Sequence, residues 1–126
     1  MPDETTLGGG NVTPTSRAGA VVYRNAGPWT PTVHHLLRHL RSAGFDEAPH
    51  PLGFDAQGRE MLAYIEGVAG FFSAGRTNPP HLWSDRVLID AARLLRRYHD
   101  ATRNFVPPVD ATWQLVYPDA TRHEVI

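Results

Sequence analysis

The pattern of apolar and polar positions predicts a first helix near the middle of the chain. Four apolar residues recur at the spacing of one helical face: Val33, Leu36, Leu37 and Leu40. Thr30 is expected to cap this helix, Pro31 to occupy its first position, and Gly44 to end it. The predicted polar side carries the basic residues His34, His35, Arg38, His39 and Arg41.

A second helix is predicted from its cap Ser84 to Thr102. Its apolar stripe comprises Leu88, Ala91, Ala92, Leu95 and His99, and is widened by Val87, Leu94 and Tyr98. A stripe of this width predicts a helix that is buried on more than one side. Four arginines keep part of the helix in water, namely Arg93, Arg96, Arg97 and Arg103.

Short alternating and β-branched segments predict strands before and after the first helix. They lie near Leu7, up to Arg17, from Ala20 to Tyr23, from Leu52 to Phe54 and from Arg59 to Ile65. Turns are expected at 18–19 and 55–58, and 68–82 is expected to be a connection with one short helical turn. This order predicts an α+β fold, an antiparallel sheet with a helix on one face.

A glycine loop separates the first two strands. It consists of Gly8, Gly9, Gly10, Asn11, Val12 and Thr13. Glycine backbone N–H groups can approach phosphate oxygens because no Cβ intervenes, and Arg24, at the end of the third strand, would neutralise phosphate charge. The alternative interpretation is an ordinary hairpin behind an N-terminal tail, with Arg24 at a surface strand end.

Composition narrows the classes of function. The chain has 126 residues, enough for one domain, and its net charge of −1 argues against an electrostatic nucleic-acid binder. The absence of cysteine excludes disulfides, thiolate metal sites and a cysteine nucleophile, and fits a cytoplasmic protein. No apolar run is long enough for a membrane span, and the acidic N-terminus is unlike a signal peptide.

Four segments together resemble the aminoglycoside phosphotransferase family, whose fold is protein-kinase-like. They are LGGGNVT, VVYRNAGPWTPTVHHLLRHLRSAGF, APHPLGFDAQGREMLAYIEG and ARLLRRYHDAT. The resemblance implies that residues 1–67 form a nucleotide-binding N-lobe with its hinge. Residues 68–126 would be a connection and the beginning of a helical C-lobe, truncated before the catalytic loop. The implied activity is ATP-dependent transfer of phosphate to a hydroxyl of a small acceptor.

The same resemblance implies a set of ATP-binding residues. The glycine loop would cover the phosphates, and Arg24, in the place of the usual lysine, would hold the α- and β-phosphates. His34 or Val33 takes the place of the usual helix acid. Because arginine does not titrate and grips phosphate in a bidentate manner, Arg24 is expected to need no carboxylate partner.

The hinge of that scheme would hold the adenine ring. Its backbone donor and acceptor would come from Leu62, Ala63, Tyr64 and Ile65, and Met61 would line the slot. The alternative interpretation of this segment is a plain edge strand.

No residue of the chain matches the catalytic base or the Mg²⁺ ligands of that family. ATP and Mg²⁺ are therefore implied cofactors whose metal ligands lie outside this sequence, and whether the chain is an enzyme stays open. The alternative is a non-catalytic fragment that binds a nucleotide or another protein. The broad stripe of the second helix predicts self-association or pairing with a second chain that carries the C-lobe, through Leu88, Ala91, Leu95 and the Trp113 region.

Two histidine patterns have plain alternatives. His35 and His39 have the i, i+4 spacing of zinc ligands, but no third ligand lies nearby in sequence, so a solvated helix face is preferred. His99 and Asp100 suggest acid–base chemistry, and their place at the end of a helix favours packing and capping instead.

Overall fold

Five short antiparallel strands form one sheet with the order β1-β2-β3-β5-β4. The computed structural model describes residues 2–8, 13–68, 70 and 78–115. The strands are β1 (Thr5–Leu7), β2 (Thr15–Ala18), β3 (Val21–Arg24), β4 (Pro51–Phe54) and β5 (Glu60–Ala63). The helices are α1 (Thr30–Ser42), a 3₁₀ turn (Pro80–Trp83) and α2 (Asp85–Thr102). The predicted α+β class with an antiparallel sheet is confirmed.

Tight turns set the register of the sheet. Gly19 and Gly58 have φ values of +59° and +77°, which glycine adopts without steric cost, and they close the β2–β3 and β4–β5 hairpins. Arg24 consequently lies directly opposite Glu60 on the neighbouring strand, at the end of the β3–β5 ladder. Paired residues of an antiparallel ladder share one face, so these two side chains meet.

The end of α1 is the predicted one, but its beginning differs. Gly44 adopts φ +83°, and the N–H groups of Gly44 and Phe45 donate to the carbonyls of Arg41 and Leu40 in a Schellman pattern. At the other end Trp29, not Thr30, is the capping residue, and no side chain caps the helix. Thr30 lies inside the first turn because its hydroxyl accepts a hydrogen bond from the Gly27 N–H instead.

The strand predicted to reach Ile65 ends at Ala63. Ala63 pairs with Val21, the first residue of β3, and the chain before Val21 turns away at Gly19. Tyr64 adds one more hydrogen bond, from its N–H to the Ala20 carbonyl at 2.9 Å. Ile65 lies beyond the strand and is 52% exposed.

The second helix begins as predicted and packs against α1 near its C-terminal end. The Ser84 hydroxyl accepts a hydrogen bond from the Val87 N–H at 3.3 Å, which confirms the cap. Phe45 and Tyr98 meet edge to face with ring centroids 5.8 Å apart. His39 Nε2 lies 2.8 Å from the carbonyl oxygen of Ala101, which fixes the two helices to each other.

The prediction that α2 is buried on more than one side is wrong for the described chain. Leu88 is 70% exposed and Leu95 is 54% exposed. The segment after α2 runs back along α1, where Phe105 is buried against the rings of His35 and His39. That segment therefore covers α1, and the N-terminal part of the α2 stripe lies open.

Candidate functional site

A buried carboxylate, Glu60, connects the sheet to α1. Its side chain is 5% exposed, and each of its two oxygens has a different basic partner. Arg24 donates from Nε to Oε1 at 2.5 Å, and its Nη2 contacts the same oxygen. His34 Nε2 lies 2.9 Å from Oε2. An ionised carboxylate only accepts hydrogen bonds, so the proton of this contact belongs to His34 Nε2.

Local sequence explains how the three groups come together. The β3–β5 register places Arg24 opposite Glu60, and His34 follows one turn after the start of α1. His34 is 1% exposed, and its ring stacks on Phe54 of β4 with centroids 5.2 Å apart. The prediction that His34 lies on the polar side of α1 is therefore wrong. Its polarity is satisfied by Glu60, a residue 26 positions away in sequence.

The expectation that Arg24 needs no carboxylate is corrected by the same network. The carboxylate partner of Arg24 comes from the neighbouring strand β5, as Glu60, and not from α1. The sequence contains one signal for the role of Glu60. Glu60 lies two positions before the apolar Leu62, so the two residues share one face of β5. A charged residue in an inward-facing strand position requires a partner, and Arg24 is the residue opposite.

A second group of ion pairs lies on the outer face of the sheet, the side opposite α1. Arg59 donates from Nη1 to Glu4 at 2.6 Å and from Nε to Asp55 at 2.7 Å. Its guanidinium lies 4.6 Å above the ring of Tyr23. Glu4 also accepts a hydrogen bond from Ser16 at 2.5 Å. Together these contacts attach the segment before β1 to β2, to β3 and to the turn between β4 and β5.

The exposed part of Arg24 and this outer group border one open cavity of about 210 Å³. Its lining residues are Glu4, Thr6, Pro14, Thr15, Ser16, Tyr23, Arg24, Asn25 and Arg59. Both arginines already contact carboxylates, so the two positive charges are compensated within the protein. The cavity therefore offers hydrogen-bonding groups rather than an uncompensated positive field for phosphate.

The ion pairs change the pKa values of the outer carboxylates. Side-chain hydrogen bonds from Arg59 and then Ser16 hold the pKa of Glu4 below its ordinary value. Burial acts to raise the pKa of Asp55, but hydrogen bonds from the Arg59 side chain and backbone outweigh it and the pKa is lowered. Glu4 and then Asp55, through their hydrogen bonds, raise the pKa of Arg59.

We expect the Glu4 carboxyl to titrate below 4.5 in the folded chain, and its pKa to return towards 4.5 in Arg59→Gln. Because the folded pKa is depressed, the stabilising contribution is present above about pH 4.5 and is lost as pH falls through the folded value. Side-chain NMR titration measures both values. Glu47, whose pKa is lowered by a hydrogen bond from Arg97, should be unchanged in Arg59→Gln and serves as the control. Identical Glu4 titration in both proteins would contradict the assignment.

The residues predicted to bind ATP belong to the glycine loop, to the end of β3 at Arg24 and to the hinge segment. Gly9, Gly10, Asn11 and Val12 lie outside the described residues, whereas Gly8 and Thr13, on either side of them, are described. Arg24 borders the cavity and is held by Glu60. For the glycine loop, nucleotide binding stays a prediction.

The predicted adenine hinge is mostly part of the sheet. Met61, Leu62 and Ala63 belong to β5, which lies between β3 and β4, and Leu62 is 4% exposed. The Ala63 N–H donates to the His50 carbonyl, and the Tyr64 N–H to the Ala20 carbonyl. These backbone donors are therefore used by the fold, and the ring of Tyr64 is covered by Arg17, 3.4 Å from its centroid. This segment is an inner strand and not the edge strand of the alternative interpretation.

The histidine patterns have structural roles in the described part of the chain. His35 and His39 pack on Phe105 rather than lying on a fully solvated face. Among the described residues there is no group of three side chains that could hold a metal ion. Asp100 accepts hydrogen bonds or ion-pair contacts from Arg96 and Arg103 on the surface of α2. Within the same ranges, no helix has the length and apolar character to cross a membrane.

Comparison with known proteins gives one informative likeness. The chain is 46% identical over 116 residues to a trifolitoxin immunity protein of Rhizobium leguminosarum bv. trifolii. The match covers 90% of this chain and 41% of that relative, so the chain spans less than half the length of the relative. No family model matches the chain. No solved structure matches it either.

This likeness overturns the phosphotransferase interpretation. The relative is named for immunity to a toxin, not for transfer of phosphate. That interpretation depends on the order of glycine loop, strand cation and hinge along the chain, and one architecture with such an order can serve unrelated activities. The predicted family, the ATP-dependent transfer to a hydroxyl acceptor and the kinase activity are therefore wrong, and similarity to a toxin immunity protein replaces them.

Proposed function

We propose that this chain is part of a toxin immunity protein and contributes to protection against a toxin of the trifolitoxin kind. The observation that carries the proposal is the 46% identity over 116 residues to a protein named for that immunity. Since the match covers 90% of this chain, it includes most of the sheet and both helices. The matched part of the relative is accordingly expected to fold as this chain does.

The geometry supports a contribution through binding. In the Glu60 network Arg24 contacts one carboxylate oxygen and His34 the other, so Glu60 connects the sheet to the helix through two hydrogen bonds. The outer face presents hydroxyls, an amide and a phenol around an open cavity of about 210 Å³. Polar groups of this kind on a rigid sheet suit recognition of another molecule.

The finer fold assignment is a proposal about architecture only. We infer that the sheet and α1 form a kinase-like N-lobe and that α2 is the first helix of a helical C-lobe. The antiparallel order β1-β2-β3-β5-β4, with α1 inserted between β3 and β4, supports it. Because a fold does not determine an activity, this architecture does not imply a phosphotransferase function.

The test is a hybrid protein, defined as the Rhizobium relative in which the matched segment is replaced by the corresponding residues of this chain. Toxin-sensitive cells that produce the hybrid protein are expected to grow in trifolitoxin, and cells producing the relative serve as the positive control. A hybrid that accumulates in folded form and gives no protection would contradict the proposal.

A further inference from the structure

The apolar stripe of α2 is covered at one end and open at the other. With 100° between successive residues, Val87, Tyr98, Thr102 and Leu95 lie on one side of the helix. At the C-terminal end of this side Thr102 is buried and Tyr98 packs on Phe45. Towards the N-terminus lies the open stripe, which we define as Leu88, Ala91, Ala92, Leu94 and Leu95, all exposed.

The open stripe is apolar and uncharged, unlike the rest of the helix. The arginines and aspartates of α2 occupy the opposite side, where they form i, i+4 and i, i+3 pairs such as Arg86–Asp90 and Arg103–Asp100. Trp83, which precedes the helix, is 68% exposed. Exposed aliphatic groups that continue a buried stripe are typical of an interface whose second half is elsewhere.

We propose that the open stripe is a docking site for the part of the relative's chain that lies outside the matched segment. That part would bind the stripe through an apolar surface of its own. The inference rests on the kinship behind the proposed function. Two observations select this occupant. The first is that the stripe continues the interface that α2 already forms with α1 and Phe45. The second is that the matched part is only 41% of the relative, so most of the relative lies outside the match.

A second copy of the chain fits the stripe less well. Stable interfaces between separate proteins use about 20–30 residues on each side, whereas the open stripe has five residues beside Trp83. A segment tethered in the same polypeptide needs less contact area, because the linkage gives it a high effective concentration.

Cysteine labelling of the hybrid protein tests the proposal. This chain contains no cysteine, so a single introduced thiol at Ala91→Cys or Leu95→Cys reports on the open stripe through its modified peptide in mass spectrometry. Ile89→Cys is the control, since Ile89 is 47% exposed and lies beside the arginines on the other side of α2. Ala91→Cys is a small change that preserves folding if Leu95→Cys does not.

Both stripe thiols are expected to react rapidly in this chain alone and at least about tenfold more slowly in the hybrid protein, because a covered thiol reacts only after local opening. The control thiol should react equally in both. Equal reactivity of Ala91→Cys in the chain and the hybrid would overturn the proposal. If the stripe thiols of the isolated chain are labelled more slowly as its concentration rises, a second copy is the occupant, and this result would also overturn the proposal. Labelling does not depend on toxin, so this outcome is separate from the test of immunity.

Discussion

Replacing Glu60 by glutamine is expected to lower the free energy of unfolding by about 3 kcal/mol, the lower end of the range for breaking a buried pair. Glutamine has the same shape but only one acceptor oxygen. The uncharged amide no longer balances the Arg24 guanidinium, and the Arg24 and His34 contacts keep only one acceptor oxygen between them. The effect stays near the lower end because the Arg24 side chain is 38% exposed and can be hydrated.

Urea unfolding of Glu60→Gln measures this change. Glu66→Gln is the matched control, since Glu66 is an exposed carboxylate six residues further along the chain. The combined variant Arg24→Gln with Glu60→Gln should lose less stability than the sum of the single variants, as coupled groups do. A Glu60→Gln effect as small as that of Glu66→Gln would show that the network is not a structural connection.

The second large effect is expected from Leu40→Ala, which should cost about 3 kcal/mol through lost burial and the cavity left behind. Leu40 of α1 is 2% exposed, whereas Leu88 of α2 is 70% exposed. Leu88→Ala is therefore an ideal control, because both substitutions replace leucine by alanine in a helix and differ mainly in burial. Leu88→Ala should change stability by less than about 0.5 kcal/mol in the isolated chain.

Thermal or urea unfolding of the two variants decides the comparison. Equal destabilisation by Leu40→Ala and Leu88→Ala would mean that the α2 stripe is covered in the chain as it exists in solution. That result would contradict both the burial of Leu40 relative to Leu88 and the open stripe of α2.

Local signals along the chain predicted most of the elements. The periodic leucines and Gly44 gave α1 its length, and the Asp55–Gly58 turn gave the β4–β5 hairpin. Such features depend on neighbouring residues, so a sequence contains them directly. The sequence does not predict the position of Thr30, because its hydroxyl accepts a hydrogen bond from the Gly27 N–H and this contact competes with the capping role.

The errors concern contacts between distant residues. The polarity of histidine predicts that His34 faces solvent, but its burial depends on Glu60 and Phe54, which belong to other elements. The open face of α2 results from the path of the segment around Phe105, which packs on α1. Periodicity shows that a helix has an apolar side, but it does not show which element covers that side.

The functional error has a similar origin. The order of glycine loop, Arg24, helix and hinge describes how strands and a helix follow one another, and this order fits an architecture used for many activities. Two of the residues predicted for the adenine slot, Ala63 and Tyr64, donate backbone hydrogen bonds within the fold, and adenine binding there stays a prediction. Kinship to a protein named for toxin immunity gave information that the motifs did not contain.

The most direct test of the proposed immunity is the toxin concentration that halts growth of sensitive cells producing the hybrid protein. We expect a concentration close to that for cells producing the intact relative, and far above that for cells with neither protein. Leu40→Ala in the hybrid should reduce protection in proportion to the loss of folded protein. A folded, abundant hybrid whose cells stop growing at the same toxin concentration as unprotected cells would contradict the proposed immunity.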